Sequence, residues 1–159
     1  MIEIAGATKE LVPPRADVAK APLPDWTERW ALLTVLRAQW STLALVATDA
    51  GAPCPALATA LAEMTRAYGL RPVRALYASG ASAPEIALVQ EEVAASRAGE
   101  ARLVIAMDDP RAEPACVPLL AQLDAALLLV RIGASEIRAV EEIIALVGRE
   151  RVIGCVVAR

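Results

Sequence analysis

Residues 46–62 read VATDAGAPCPALATALA, in which an apolar run enters a loop of small residues and then a helical pattern. A phosphate-binding loop has this layout: glycine lets successive backbone amides turn toward the anion, and a lysine neutralises its charge. Here the two prolines that flank Cys54 have no amide hydrogen, Cys54 has no positive charge, and Asp49 would repel a phosphate. We therefore expect a loop that keeps the position of a phosphate site without its chemistry.

The absence of histidine and the scarcity of lysine exclude further kinds of catalytic and binding chemistry. The sequence contains no histidine, the commonest general base and nitrogen ligand. Its lysines are Lys9 and Lys20, so the chain from residue 21 onward has no amine for a phosphate or a Schiff base. We expect no metal and no cofactor, and an arginine is the one cation left that could serve the loop.

Cys54 has two interpretations. A thiol at the start of a helix can have its pKa lowered to about 3.5–7.5, which would make it a nucleophile or a redox sensor. Alternatively, Cys54 is a small residue tolerated in a loop that no longer binds nucleotide, and the lack of histidine favours this interpretation. The other cysteines, Cys116 and Cys155, are distant in sequence and bring the number to three, which is typical of reduced thiols.

Acidic residues follow a second apolar run. Asp108, Asp109 and Glu113 could form a metal or acid/base cluster. Carboxylates are also favoured beside the free amides at the start of a helix, and we prefer this explanation. Asp49 is interpreted as a turn residue for the same reason.

A tryptophan-rich helix is predicted over residues 25–40, DWTERWALLTVLRAQW. Spacings of three and four residues place five side chains on one helical face: Trp26, Trp30, Leu33, Arg37 and Trp40. This face either packs on the protein's own sheet or docks a partner, because large aromatic side chains suit both roles. The sequence leaves the two roles open.

Aliphatic runs alternate with helical patterns along the rest of the chain. We predict five strands, at 43–47, 72–77, 103–107, 125–130 and 152–157. Helices are predicted at 55–68, after Ser82 up to Gly99, at 115–123 and at 135–147. Strands that alternate with crossover helices indicate an α/β fold with a doubly wound, mainly parallel sheet and helices on both faces. Ligands of such sheets bind beyond the carboxyl ends of the strands.

Composition is consistent with this fold. Hydrophobic residues make up 57% and aromatic residues 3% of the 159 residues, so an aliphatic core is expected. We predict an extended or disordered proline-rich leader at 1–24 and a single α/β domain at 25–159. A net charge of −3 gives no general attraction to nucleic acid. With neither a signal-like N-terminus nor an apolar run long enough to span a membrane, a cytoplasmic protein is expected.

The order of these segments resembles the bacterial tyrosine kinase family, relatives of MinD and ParA type P-loop ATPases, over roughly residues 30–159. TVLRAQW is similar to the family's helix ending in RTLR, and VATDAGAPCPALATALAEMTRAYG to its strand, GKST loop and helix. LVIAMDDP at 103–110 is similar to the family's strand ending in an acidic residue and prolines. LDAALLLVRIGAS at 123–135 and GCVVA at 154–158 resemble its aDgvllVvraG and GvVlN patterns.

The departures from the family lie at its functional positions. In register, the family's lysine falls on Cys54, and its magnesium-binding hydroxyl residues fall on Pro55 and Ala56, after the loop's Gly51. The acidic residue of the second strand falls on Tyr77, and the asparagine of the last loop falls on Ala158. A magnesium-site carboxylate survives as Asp108 or Asp109, unless a one-residue shift places Met107 there.

The resemblance implies a degenerate, non-catalytic pseudokinase. It would be a cytoplasmic accessory or regulatory protein in bacterial exopolysaccharide or capsule synthesis and export, at the inner face of the membrane through a partner. That partner would be a membrane polysaccharide co-polymerase or another export component, with a homo-oligomer as a further option. One alternative is an active ATPase or tyrosine kinase that uses Arg111 or Arg131. Another is a MinD or ParA type positioning or adaptor protein.

Overall fold

A computed structural model describes residues 26–99 and 101–158 of the chain. Within them lie the strands β1 (Thr42–Ala47), β2 (Val73–Tyr77), β3 (Arg102–Met107), β4 (Ala125–Arg131) and β5 (Val152–Ala158). The helices are α1 (Trp26–Arg37), α2 (Cys54–Ala67), α3 (Ala83–Ser96), α4 (Val117–Leu120) and α5 (Ile137–Val147), with 3-10 turns at Pro114–Cys116 and Arg149–Arg151. The predicted leader at 1–24 lies outside the described residues.

The five strands form one parallel sheet in the order β2-β3-β1-β4-β5. The chain leaves β1 toward one edge of the sheet, returns through β3 and then crosses β1 to reach β4 and β5. The predicted parallel α/β sheet is therefore confirmed. Since the winding direction reverses at β1, a crevice is expected beyond the carboxyl end of β1, where ligands of doubly wound sheets bind.

Helices cover both faces of the sheet. Leu36 of α1 and Leu61 of α2 pack on one face, against β1 and β4 residues such as Leu45. On the other face, α3, α4 and α5 contribute the side chains Ile86, Val89, Val93, Leu119, Leu120, Ile143 and Val147. All six residues of β1 are buried, as are all six of β3. Burial on both faces is why these strands read as continuous aliphatic runs in the sequence.

The predicted helices differ from the observed helices at their ends. The helix predicted at 115–123 is shortened to α4, because the chain tightens into 3-10 hydrogen bonds such as that from the Gln122 amide to the Leu119 carbonyl, 3.0 Å long. Helix α5 begins at Ile137 rather than at residue 135, and α1 ends at Arg37 rather than at residue 40. Trp40 therefore lies beyond the helix to which its spacing assigned it.

Candidate functional site

The loop after β1, residues 48–53 (the first loop), lies between β1 and α2 at the carboxyl end of a central strand of the sheet. Gly51 has φ +92, in the left-handed region that glycine favours. The loop directs amides toward its own carbonyls: the Cys54 amide donates to the Ala52 carbonyl at 2.8 Å, and the Ala52 amide donates to the Asp49 carbonyl at 3.5 Å. Pro53 and Pro55 have no amide hydrogen to offer. These four positions therefore present no amide to an anion.

Asp49 joins the first loop to the loop after β4. The Arg131 Nε donates to Asp49 Oδ1 at 2.7 Å, and its Nη2 donates to the same oxygen. The Ser135 hydroxyl donates to the other carboxylate oxygen at 2.6 Å. Arg131 Nη2 also donates to the Ala50 carbonyl at 2.9 Å, so the guanidinium lies against the first loop. Arg131 is thus committed to a carboxylate and a carbonyl of its own chain.

Electrostatics reinforce this pair. The Asp49 side chain is 11% exposed, and burial alone raises its pKa. Hydrogen bonds from Arg131 and Ser135 outweigh burial and hold the pKa of Asp49 below its ordinary value. The hydrogen bond to Asp49 raises the pKa of Arg131 in turn. Both groups are therefore charged at neutral pH, so Asp49 adds a negative charge to the first loop.

Arg111 forms a second internal ion pair. Its Nη2 lies 2.6 Å from Asp109 Oδ2, and its Nε donates to Asp109 Oδ1 at 3.0 Å. Nη1 reaches Glu142 of α5 at 3.3 Å, and Nη2 also approaches the Thr48 carbonyl of the first loop at 3.5 Å. Burial raises the pKa of Asp109, but the hydrogen bonds from the side chain and backbone of Arg111 lower it by more. The pKa of Asp109 therefore lies below its ordinary value. Asp109, one of the two candidate magnesium carboxylates, is thus an ion-pair partner of Arg111.

Cys54 is the first residue of α2 and is 1% exposed. Burial, followed by the negative charges of Asp108 and Asp49, raises the pKa of the thiol to about 12. The neutral thiol is therefore the dominant form at physiological pH, which opposes a role as a nucleophile. The structure places Cys54 as a small apolar side chain, in line with the interpretation that the sequence favoured.

The other positions that the family resemblance singled out carry no charge, with the exception of Asp108. Pro55 and Ala56 continue the first turn of α2 and are half-buried. Met107 is the last residue of β3 and fully buried, so the first residue beyond this strand is Asp108. The hydroxyl of Tyr77 lies 2.8 Å from the Thr59 hydroxyl of α2, which gives it a partner within the fold. Asp108, half-buried at the end of β3, is therefore the remaining candidate for an acidic site.

The predicted interaction face on α1 is divided by the structure. The side chains of Trp26 and Trp30 lie outside the described part of the chain. Leu33 is half-buried against the core, whereas Arg37 is exposed. Trp40 is 5% exposed and donates from Nε1 to the Val35 carbonyl at 2.8 Å. Trp40 packs on the protein's own sheet, which is the first of the two roles that the sequence left open.

Sequence reasoning missed the pairings that organise this edge of the sheet. It named Arg111 and Arg131 as substitute cations but assigned neither of them a carboxylate. The two-residue spacing of Asp109 and Arg111 could have indicated their ion pair, because an arginine side chain is long enough to fold back onto a carboxylate two positions earlier. Asp49 and Arg131 are 82 residues apart, and Ser135 joins them only through the folded loops.

No protein-family model matches the sequence, and neither does any curated protein. Across residues 26–99 and 101–158, no helix is both long and apolar enough to cross a membrane. The same residues contain no group of three or more Cys, Asp and Glu side chains placed to hold a metal ion. The candidate site therefore rests on the geometry described above.

Proposed function

We propose that this protein is a non-catalytic, P-loop-like accessory subunit that acts through protein contacts in bacterial polysaccharide synthesis and export. The observation that supports the non-catalytic part best is the pairing of Arg131 with Asp49 against the first loop. An active enzyme built on this loop needs a cation to replace the absent lysine. Both arginines within reach, Arg131 and Arg111, are paired with carboxylates of their own chain.

The energetic argument concerns what a nucleotide would have to displace. Phosphate oxygens would have to take Arg131 from Asp49 or Arg111 from Asp109. The carboxylates of Asp49 and Asp109 are 11% and 9% exposed, so either one would be left largely buried without its counter-ion. Breaking a buried ion pair by removing one partner is strongly destabilising, and the polyanion would add repulsion. Nucleotide binding is therefore opposed by both desolvation and charge.

The polysaccharide part of the proposal is supported by the resemblance of residues 30–159 to the bacterial tyrosine kinases. In that family the domain works beside a membrane polysaccharide co-polymerase, and the same kind of partner is proposed here. The exposed side chain of Arg37 at the end of α1 is one contact available to that partner. A protein that lost catalysis but kept the sheet and helices would retain such a docking role.

Genetic complementation tests both parts of this proposal. Deleting the gene from its host should lower the amount of secreted polysaccharide, and the wild-type gene should restore it. Asp108→Asn removes the remaining candidate magnesium carboxylate and should restore the polysaccharide equally well. Glu113→Gln, an exposed acid in the same loop, is the matched control for a change of charge.

The results of this experiment distinguish the role in polysaccharide export from the absence of catalysis. Unchanged polysaccharide after deletion would contradict the role in export. Failure of Asp108→Asn to restore it, at normal protein level and with Glu113→Gln restoring it, would contradict the absence of catalysis. In that case the active ATPase or kinase alternative would gain the support that the proposal loses.

A further inference from the structure

The two edge strands of the sheet, β2 and β5, differ in how they are protected against pairing with another strand. Strand β2 carries Arg74, an exposed arginine that binds Glu92 at 3.1 Å, and Pro72 directly precedes the strand. Strand β5 reads VIGCVVA, with neither a charged residue nor a proline. Edge strands of natural proteins are ordinarily blocked by charges, prolines or covering elements, because an open edge pairs readily with other strands. The sequence of β5 lacks the charge and the proline that protect β2.

The outer edge of β5 offers backbone groups to a further strand. Among residues 26–99 and 101–158, β4 is the one strand that pairs with β5. The Ile132 amide donates to the Ala158 carbonyl at 2.9 Å, so the backbone groups of Ala158 face β4. Since these groups alternate in direction along a strand, the amides and carbonyls of Cys155 and Val157 point away from β4. The register of β5 is shifted only near its amino end, so the edge is regular at both residues.

The side chains on one face of β5 are apolar and exposed. Ile153 and Val157 are 40% and 52% exposed, and Cys155 between them is also exposed. These three residues alternate with half-buried ones, so they share one face of the sheet. Ile132, which follows β4 and is 66% exposed, adjoins the carboxyl end of β5 through its bond to Ala158. An uncharged edge with exposed apolar side chains is typical of an interaction site.

A second copy of β5 meets the requirements of this edge. The occupant must be an uncharged strand with apolar side chains at alternate positions, and β5 has both properties itself. Its exposed side chains are centred on Cys155, so an antiparallel copy places Cys155 opposite Cys155 and Ile153 opposite Val157 of the second copy. The antiparallel direction also keeps the basic turns at 149–151 of the two copies at opposite ends, whereas parallel pairing would place like charges side by side.

We propose that the chain forms a two-fold dimer in which β5 pairs antiparallel with β5 of a second copy, so that the two sheets become one continuous sheet. The outward backbone groups of Cys155 and Val157 then gain hydrogen-bond partners. Association stops at two copies, because a two-fold contact uses the same surface on both chains and the β2 edge carries Arg74. The pairing occupies the edge of the sheet and leaves its face open, so the Cys155 thiol remains accessible to small reagents.

Sedimentation velocity of the full chain under reducing conditions tests the proposal. The fraction of a species with twice the mass of one chain should rise as the protein concentration increases from about 1 to 100 μM. A short bismaleimide, added after removal of the reductant, should cross-link this species through Cys155, because Cys54 and Cys116 are buried. Cys155→Ser should retain the dimer and lose the cross-link.

Cys155→Lys should weaken the dimer about fivefold or more, because it places two like charges directly opposite each other across the paired strands. Leu88→Lys is the matched control: Leu88 is 42% exposed on α3, so this variant gains the same charge away from β5 and should dimerise like the wild type. Circular dichroism checks that both variants are folded. A wild-type chain that stays monomeric up to about 100 μM, or a dimer that is not cross-linked through Cys155, would overturn the proposal. Equal dimerisation of Cys155→Lys and Leu88→Lys would overturn it as well.

Discussion

Alkylation of Cys54 should be about a thousand times slower than that of an ordinary thiol. The thiolate is the reactive form, and the pKa of Cys54 is raised from 9.0 to about 12 by burial and by the charges of Asp108 and Asp49. At pH 8 a thiol with pKa 9.0 is about one-tenth ionised, whereas one with pKa about 12 is about one part in ten thousand ionised. The ratio of these fractions is about a thousandfold, and 1% exposure slows the reaction further.

The assay is a time course of iodoacetamide labelling at pH 8, followed by mass spectrometry of the three cysteine peptides. Cys155 of β5 is exposed and serves as the internal reference. Cys116 is buried with a pKa of about 11, so the expected order of rates is Cys155, then Cys116, then Cys54. In denaturant all three should react alike. Labelling of native Cys54 within about tenfold of Cys155 would contradict a buried, neutral Cys54 thiol and would favour the nucleophile interpretation.

Two further predictions concern stability. The pKa values of Asp49 and Asp109 lie below 3.8, so the unfolded chain binds more protons and stability is lost as pH falls through 3.8 toward the folded values. In urea titrations, Asp49→Asn should reduce the free energy of unfolding at neutral pH and should flatten its decline between about pH 5 and 3. The exposed control Glu63→Gln should do neither. If Asp49→Asn left the pH dependence of the free energy of unfolding unaltered, the role of Asp49 would be contradicted. Leu61→Ala removes a fully buried α2 side chain and should lower the free energy of unfolding by about 2–5 kcal/mol. Leu88→Ala, at a 42% exposed position, should cost no more than about 1 kcal/mol, and equal losses would argue against the assigned core.

The central strands of the sheet were predictable from the sequence. Strands β1 and β3 are buried on both faces. A strand in this position needs apolar residues at successive positions, and such a run is visible in the sequence alone. The start of helix α3 was predictable because Ser82 directly precedes it. The Ser82 amide donates to the Glu85 carboxylate at 2.7 Å, as in a capping box. Local rules of burial and capping therefore sufficed for most of the fold.

The candidate site depended on contacts that no local rule contains. Asp49 meets Arg131 because β1 and β4 are neighbours, and the pattern of strands along the chain did not give their order in the sheet. The predicted strand at 103–107 does not include Arg102, whose residue type is ordinarily found at the surface. In the structure it opens β3 beneath Trp40, where stacking and a backbone carbonyl hold it.

Calorimetric titration of the wild-type protein with ATP and Mg²⁺ measures whether the first loop accepts a nucleotide. The pairing of Arg131 with Asp49 and of Arg111 with Asp109 predicts no saturable binding at the first loop. Micromolar binding of ATP with Mg²⁺ would contradict this prediction, because a nucleotide would then have displaced a carboxylate from Arg131 or Arg111.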